Sequence, residues 1–102
     1  MGNTSVQLAA RDGHPRIVEK LIEAGGVIDH KDSLSLTALH HACVRGKINC
    51  VQVLLKHGAD PNSKDKAGKP PLFYAAFSED LPICKELVDK GGNVNACDDH
   101  KL

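Results

Sequence analysis

Aromatic side chains are scarce: among 102 residues only Phe73, Tyr74 and Phe77 carry a six-membered ring, and tryptophan is missing altogether. A core without large rings must rest on Leu, Ile, Val and Ala. Such residues suit short helices in close stacking and argue against a sandwich or barrel. Net charge is also missing, with 13 basic residues against 13 acidic ones, so nothing pulls the whole chain toward nucleic acid or membrane. No hydrophobic run is long enough to span a bilayer, and no secretory apolar segment opens the chain. Cys43, Cys50, Cys84 and Cys97 make no C-x-x-C pair. The first three occupy apolar helix positions, which suggests buried free thiols in a reducing, intracellular setting.

Motifs of catalysis are lacking as well. There is no glycine-rich phosphate cradle, no G-x-S-x-G and no H-E-x-x-H. His40 and Cys43 lie three apart on one helix face, the nearest approach to a thiol-imidazole pair. Cys97 and His100 supply one half of a zinc-type spacing, and the other half is missing, while the His40-His41 pair and His57 fall on different elements. The expectation is a chain that is not an enzyme, with no cofactor, no metal and no small-molecule substrate.

What the sequence does contain is one unit written three times. Advancing 33 residues carries Thr37 onto Pro70, Leu39 onto Leu72, Ala42 onto Ala75, Leu54 onto Leu87, Gly58 onto Gly91 and Asn62 onto Asn95. Stepping back by the same interval reaches Thr4, Val6, Ala9, Leu21, Gly25 and Asp29. A period of this size marks a stacked array in which each unit buries its apolar face against its neighbours. Within the unit Thr37 suits an N-cap, and Leu39, Ala42 and Cys43 stripe a short helix behind it. Gly46 permits a reversal, Val51, Leu54 and Leu55 stripe a second helix, and Gly58 ends it. Residues 62–69 form a polar span in which Asp65 and Gly68 suit a type I turn at a hairpin tip.

Residues 5–11 and 15–24 read as the helices of the first unit, with Pro15 tolerated in a first turn, and residues 71–77 and 81–90 as those of the third. The expected core ladder runs through Leu21, Leu54 and Leu87. The three units divide as residues 2–34, 35–67 and 68–100 of a single 1–102 domain. Both ends cut the period within a loop, so a segment of a longer array is expected, with a natural short protein as the alternative.

These residues resemble the ankyrin repeat. Thr37-Ala38-Leu39-His40-His41-Ala42 matches the T-P-L-H-x-A signature, and Leu54-Leu55-Lys56-His57-Gly58-Ala59-Asp60-Pro61-Asn62 matches the L-L-x-x-G-A-D-x-N close. Departures are plain: Ala38 and Ser5 replace the proline, Pro70 replaces the capping threonine, Phe73 the histidine, and Glu79 the inter-helix glycine. The first loop lacks a counterpart of Gly68. The resemblance implies an all-α solenoid of helix-turn-helix units with hairpin-like loops. It also implies a structural, hydrogen-bonding role for His40 beside Thr37, and recognition of another protein through loop tips and the exposed side of each first helix.

The family's variable contact positions carry over to Arg11 and Asp12, to Ser33, Leu34, Leu36, Val44 and Arg45, and to Lys66, Ala67, Lys69, Phe77 and Ser78. Leu34 and Leu36 are apolar where a solvated tip favours polar residues, which makes them candidate anchors. Phe73 and Phe77, at i and i+4, share a helix face. Packing against the second repeat or a further one is expected of them, with partner contact as the second reading. Asn62 and Asn95 resemble loop asparagines that some ankyrin proteins present for hydroxylation; bracing of their own loop is the structural alternative.

Charge is uneven along the chain. Residues 45–69 hold six basic and two acidic side chains, and residues 79–99 the reverse. This favours either a plain solvated surface or orientation of a charged partner. Two rival functions remain: an anionic ligand, nucleic acid or membrane, at Lys64, Lys66 and Lys69, and a structural spacer within a larger protein.

Overall fold

The computed structural model describes residues 4–95. Among the described residues there are six helices and no strand: α1 (Ser5–Asp12), α2 (Pro15–Glu23), α3 (Ala38–Val44), α4 (Ile48–Lys56), α5 (Pro71–Phe77) and α6 (Leu81–Asp89). They form three antiparallel hairpins stacked side by side. The first helices pack in one row, α1 on α3 on α5, and the second helices in another, α2 on α4 on α6. The stack measures 39 × 27 × 20 Å.

The first helix of each unit starts on its cap. The Thr4 side chain accepts from the Gln7 amide, and the Gln7 side chain accepts from the Thr4 amide. Thr37 and His40 repeat this reciprocal box. In the third unit Pro70 offers no side-chain cap, and Pro71 at the first helical position starts α5 in its place. The turn between paired helices is the same in all three: the amides of His14, Lys47 and Asp80 donate to the carbonyls of Ala9, Ala42 and Ala75 at 2.9 Å. Gly13 and Gly46 hold the left-handed conformation this turn needs. Glu79, one period on, is forced into it at φ 55°.

Ser35 likewise takes φ 62° where the next loop has Gly68. An L-residue in this region is strained by about 1–2 kcal/mol. Glu79→Gly is therefore expected to stabilise the chain by about 0.5–1 kcal/mol, part of the gain being offset by the greater freedom of glycine when unfolded. Urea denaturation measures this, and an unchanged or lowered midpoint contradicts it.

Register decides burial. Ala10, Val18, Cys43, Cys50, Val51, Leu54, Leu55, Ile83 and Leu87 are buried in one core cluster. At the outer faces the matching positions emerge: Ile17, in register with buried Cys50, is 51% exposed, and Val88, in register with Leu55, is 41% exposed. Leu21 is thus only half-buried, a correction to the expected core, in which it stood beside the fully buried Leu54 and Leu87. Residues 96–102, with Cys97 and His100, and the start of the first unit at Gly2 and Asn3 lie outside the described residues.

Candidate functional site: the finger loops and the inner helix face

Each loop between units is a finger pinned by one aspartate. Asp65 Oδ1 accepts from the amides of Ala67 and Lys69, both at 2.9 Å, and the Lys69 carbonyl accepts from the Asp65 amide. Asp32, one period earlier, accepts from Leu34 and Leu36 in the same way. The second oxygen of each carboxylate is held by the first helix that follows: His41 Nε2 lies 3.0 Å from Asp32 Oδ2, and the Tyr74 hydroxyl donates to Asp65 Oδ2. Burial works against ionisation of both aspartates. The His41 and Tyr74 bonds, joined by the loop amides, outweigh it and hold both carboxyls below their ordinary range. Tyr74 shows the reciprocal effect, its hydroxyl pushed up to about 12 by burial and by the Asp65 charge.

Neighbouring units are sewn together at fixed register. His40 Nε2 sits 2.9 Å from the Lys69 carbonyl, and the Gln7 amide side chain donates to the equivalent Leu36 carbonyl at 3.1 Å. The Lys66 amide donates to the Leu34 carbonyl, and Lys31 Nζ to the Lys64 carbonyl, each at 3.0 Å. Burial draws His40 below its ordinary pKa, opposed by its bond to the Lys69 carbonyl. Its Nδ1 lies 2.9 Å from the Thr37 hydroxyl, and the Cys43 thiol is buried and driven far up by desolvation. An imidazole tied at both nitrogens beside an unionised thiol is a structural bracket rather than a nucleophile pair.

Asn62 also acts between units. Its amide nitrogen donates to the Gly91 carbonyl at 3.0 Å and its oxygen accepts from the Asn93 amide at 2.7 Å, so it braces the end of α6 rather than its own loop. Asn95 is exposed, and its backbone amide donates to Asn93 Oδ1 at 2.9 Å.

Between the fingers and the first helices runs an apolar strip. One depression of about 210 Å³ is lined by Leu34, Leu36, Asp65, Lys66, Ala67 and Tyr74. A second, of about 410 Å³, is lined by Val44, Phe73, Tyr74, Phe77 and Ser78, and Tyr74 is common to both. Phe73 stacks on Phe77 with ring centres 6.1 Å apart, and Tyr74 stands edge-on to Phe73 and His40. Phe77 is 78% exposed, so packing against the second repeat gives way to a surface position, and packing against a further repeat stays a proposal. Lys69 Nζ lies 4.9 Å over the Phe73 ring.

The structure brings together Leu34, Leu36, Val44, Lys66, Ala67, Lys69, Phe77 and Ser78 from the sequence-derived set. Ser33 and Arg45 stand exposed beside them in sequence, at the finger tip and the end of α3. Arg11 and Asp12 are at the end of α1 and pair with each other, Nε to Oδ1 3.2 Å. Asp65, Phe73 and Tyr74 line the depressions although they stood outside the carried-over contact positions; the place of Tyr74 depends on Asp65 nine residues away.

A separate group on the second helices was not foreseen either. Glu19, Glu23 and His57 bring their ligand-type atoms within 4.8 Å of one another. Glu19 Oε2 already meets His57 Nε2 at 3.0 Å and Lys56 Nζ at 3.2 Å, and these bonds, His57 first, hold its carboxyl low. It is an ion-pair network tying α2 to α4.

Paired helices stacked at a 33-residue interval, with aspartate-pinned fingers over an exposed inner face, define a repeat scaffold built for recognition. The chain belongs to the ankyrin-repeat family: the model for ankyrin repeats in three copies matches residues 3–98. It is similar to the ankyrin repeat protein nuc-2 of Neurospora crassa, 40% identical over 83 residues, covering 79% of this chain and 8% of that protein. It is similar also to the inactive serine/threonine-protein kinase TEX14 of Bos taurus, 37% identical over 82 residues, with 80% of this chain and 6% of the other covered. Human ankyrin repeat and SOCS box protein 6 is 36% identical over 91 residues, 86% of this chain and 22% of that protein. The chain thus spans less than a quarter of the length of each of these relatives. Ankyrin repeats are in general protein–protein interaction modules, and the domain is typically non-catalytic.

Proposed function

We propose that this chain is a non-catalytic interaction module that binds another protein along the strip from Leu34 to Phe77. The observation that carries the reading is the exposure of apolar side chains in one row between the fingers and the first helices, Leu34 at 59%, Val44 at 45% and Phe77 at 78%, along two depressions that share Tyr74. Rigid backing supports it: every finger aspartate in the described residues is bonded to a helix, so the strip is organised before a partner arrives. The buried thiols of Cys43 and Cys50 agree with an intracellular location, which is part of the proposal.

The expected result of Arg45→Glu, Lys66→Glu and Lys69→Glu combined is weaker capture of the partner, by about tenfold or more, at unchanged melting temperature. A pull-down with calorimetry checks this, and equal capture by the triple variant removes the strip from the interface. A second reading, a spacer or docking segment within a larger protein, is favoured by the exposed stacking positions Leu81 and Val88 on the third repeat. It predicts protection of α6 from hydrogen exchange when the chain is part of a longer one. Hydroxylation of Asn62 or Asn95 is proposed with less support at Asn62, whose side chain is engaged at both ends.

A further inference from the structure

The two depressions differ in kind. The one between Val44 and Phe77 is walled by an aliphatic side chain and two stacked rings. The other lies at the fingers, where the electrostatics are one-sided. Asp32 and Asp65, the finger acids, point inward and spend their charge on loop amides, His41 and the Tyr74 hydroxyl. The finger lysines do not share that fate: among the described residues Lys64, Lys66 and Lys69 meet no carboxylate within ion-pair distance. At the opposite end, after Phe77 and Ser78, come Glu79 and Asp80. Asp80 caps the Ile83 amide, and exposed Arg45 follows Val44 at the end of α3, so the strip is apolar in its middle, positive at the fingers and of mixed charge beyond Phe77.

We propose that the occupant is an extended acidic peptide segment of a partner protein, carrying a bulky apolar residue that seats between Val44, Phe73 and Phe77, with its carboxylates on the finger side at Lys66 and Lys69. This rests on the reading of the strip as the binding surface and adds the chemistry and direction of what binds. Lys66 and Lys69 have no carboxylate partner among the described residues while charge beyond Phe77 is mixed, so the carboxylates are placed on the finger side, and charge complementarity of this kind sets register and direction. The ammonium of Lys69, already over the Phe73 ring, is placed to bridge a carboxylate and the anchor.

The test is to pan short random peptides displayed on phage against the whole chain, then to measure selected peptides on Phe77→Asp, on Lys66→Glu with Lys69→Glu, and on Leu34→Asp. Phe77, Leu34 and Lys66 are exposed, so these variants are expected to keep the wild-type melting temperature, which is measured first. The expected result is enrichment of Asp and Glu on one side of a Leu, Met, Phe or Trp, with affinity falling about tenfold or more on Phe77→Asp and on the double lysine variant. Basic or uncharged peptides that still depend on Phe77 overturn the acidic chemistry while leaving the strip as the binding surface. Peptides indifferent to Phe77→Asp and Leu34→Asp overturn the strip itself. Failure to enrich any peptide, or displacement of the selected ones by a labelled thymidine oligonucleotide, overturns the proposal.

Discussion

Leu54→Ala is expected to cost about 2–5 kcal/mol of folding stability, at the upper end of that range. Leu54 is fully buried in α4, where it lies between the α2 and α6 hairpins in the middle of the stack. Its removal leaves a void that the flanking helices, each held by the turn to its partner helix, cannot close. For a chain near this size each kcal/mol lowers the melting temperature by about 4–8 °C, so a fall of at least about 10 °C is expected. The companion change Leu21→Ala removes the same atoms at the same register of the first unit. Only partly buried there, Leu21 already touches water, and the expected loss is less than half as large. Thermal unfolding followed by circular dichroism separates the two. Equal losses would mean that the first hairpin is packed as tightly as the second, against the burial pattern.

The second large effect is expected at His40. His40→Ala strips a partner from the Thr37 amide, the Thr37 hydroxyl and the Lys69 carbonyl at once, and leaves space where the ring met Tyr74. Buried polar groups left unpaired cost about 1–3 kcal/mol each, and a loss of about 3 kcal/mol is expected. His40→Gln is expected to retain most of the stability. The first unit supplies the precedent, since Gln7 both closes the cap with Thr4 and reaches the Leu36 carbonyl.

The two side chains differ in titration. Burial keeps His40 neutral in the folded chain, below its ordinary value of about 6.5. As pH falls through that value the unfolded chain binds a proton that the folded one refuses, so stability declines below about pH 6.5 until the folded pKa is passed. His40→Gln is expected to flatten that decline and to leave the later loss below about pH 4, where the depressed carboxyls of Asp32 and Asp65 take up protons. Melting curves from pH 7 to about 3 check both limbs; parallel wild-type and variant curves would show that His40 is not the group responsible.

Helix bounds were legible almost to the residue because their signals are local: Thr4 and Thr37 as caps, Pro15 and Pro71 at first turns, Gly46 and Gly58 at ends. Glu79 shows the limit of that reading. Nothing local favours a left-handed glutamate, yet the stacking of α5 and α6 on their neighbours imposes the turn that Gly13 and Gly46 adopt without strain. The site was legible in part. Leu34, Lys66 and Phe77 follow from their places in the unit, whereas Tyr74 entered because its hydroxyl takes the role that His41 plays one repeat earlier. Two side chains of different chemistry at equivalent positions carry no shared sequence signal.

By itself the sequence determined the period and the six helices, since both follow from spacing and from side-chain chemistry within one unit. Only the tertiary structure decided that Leu55 is buried while Val88 is not, that Asn62 braces the following hairpin, and that Phe77 lies open beside Val44. The reason is physical: burial and pairing at a repeat position depend on whether a neighbouring unit covers it, and equivalent positions in successive units do not share the same neighbours.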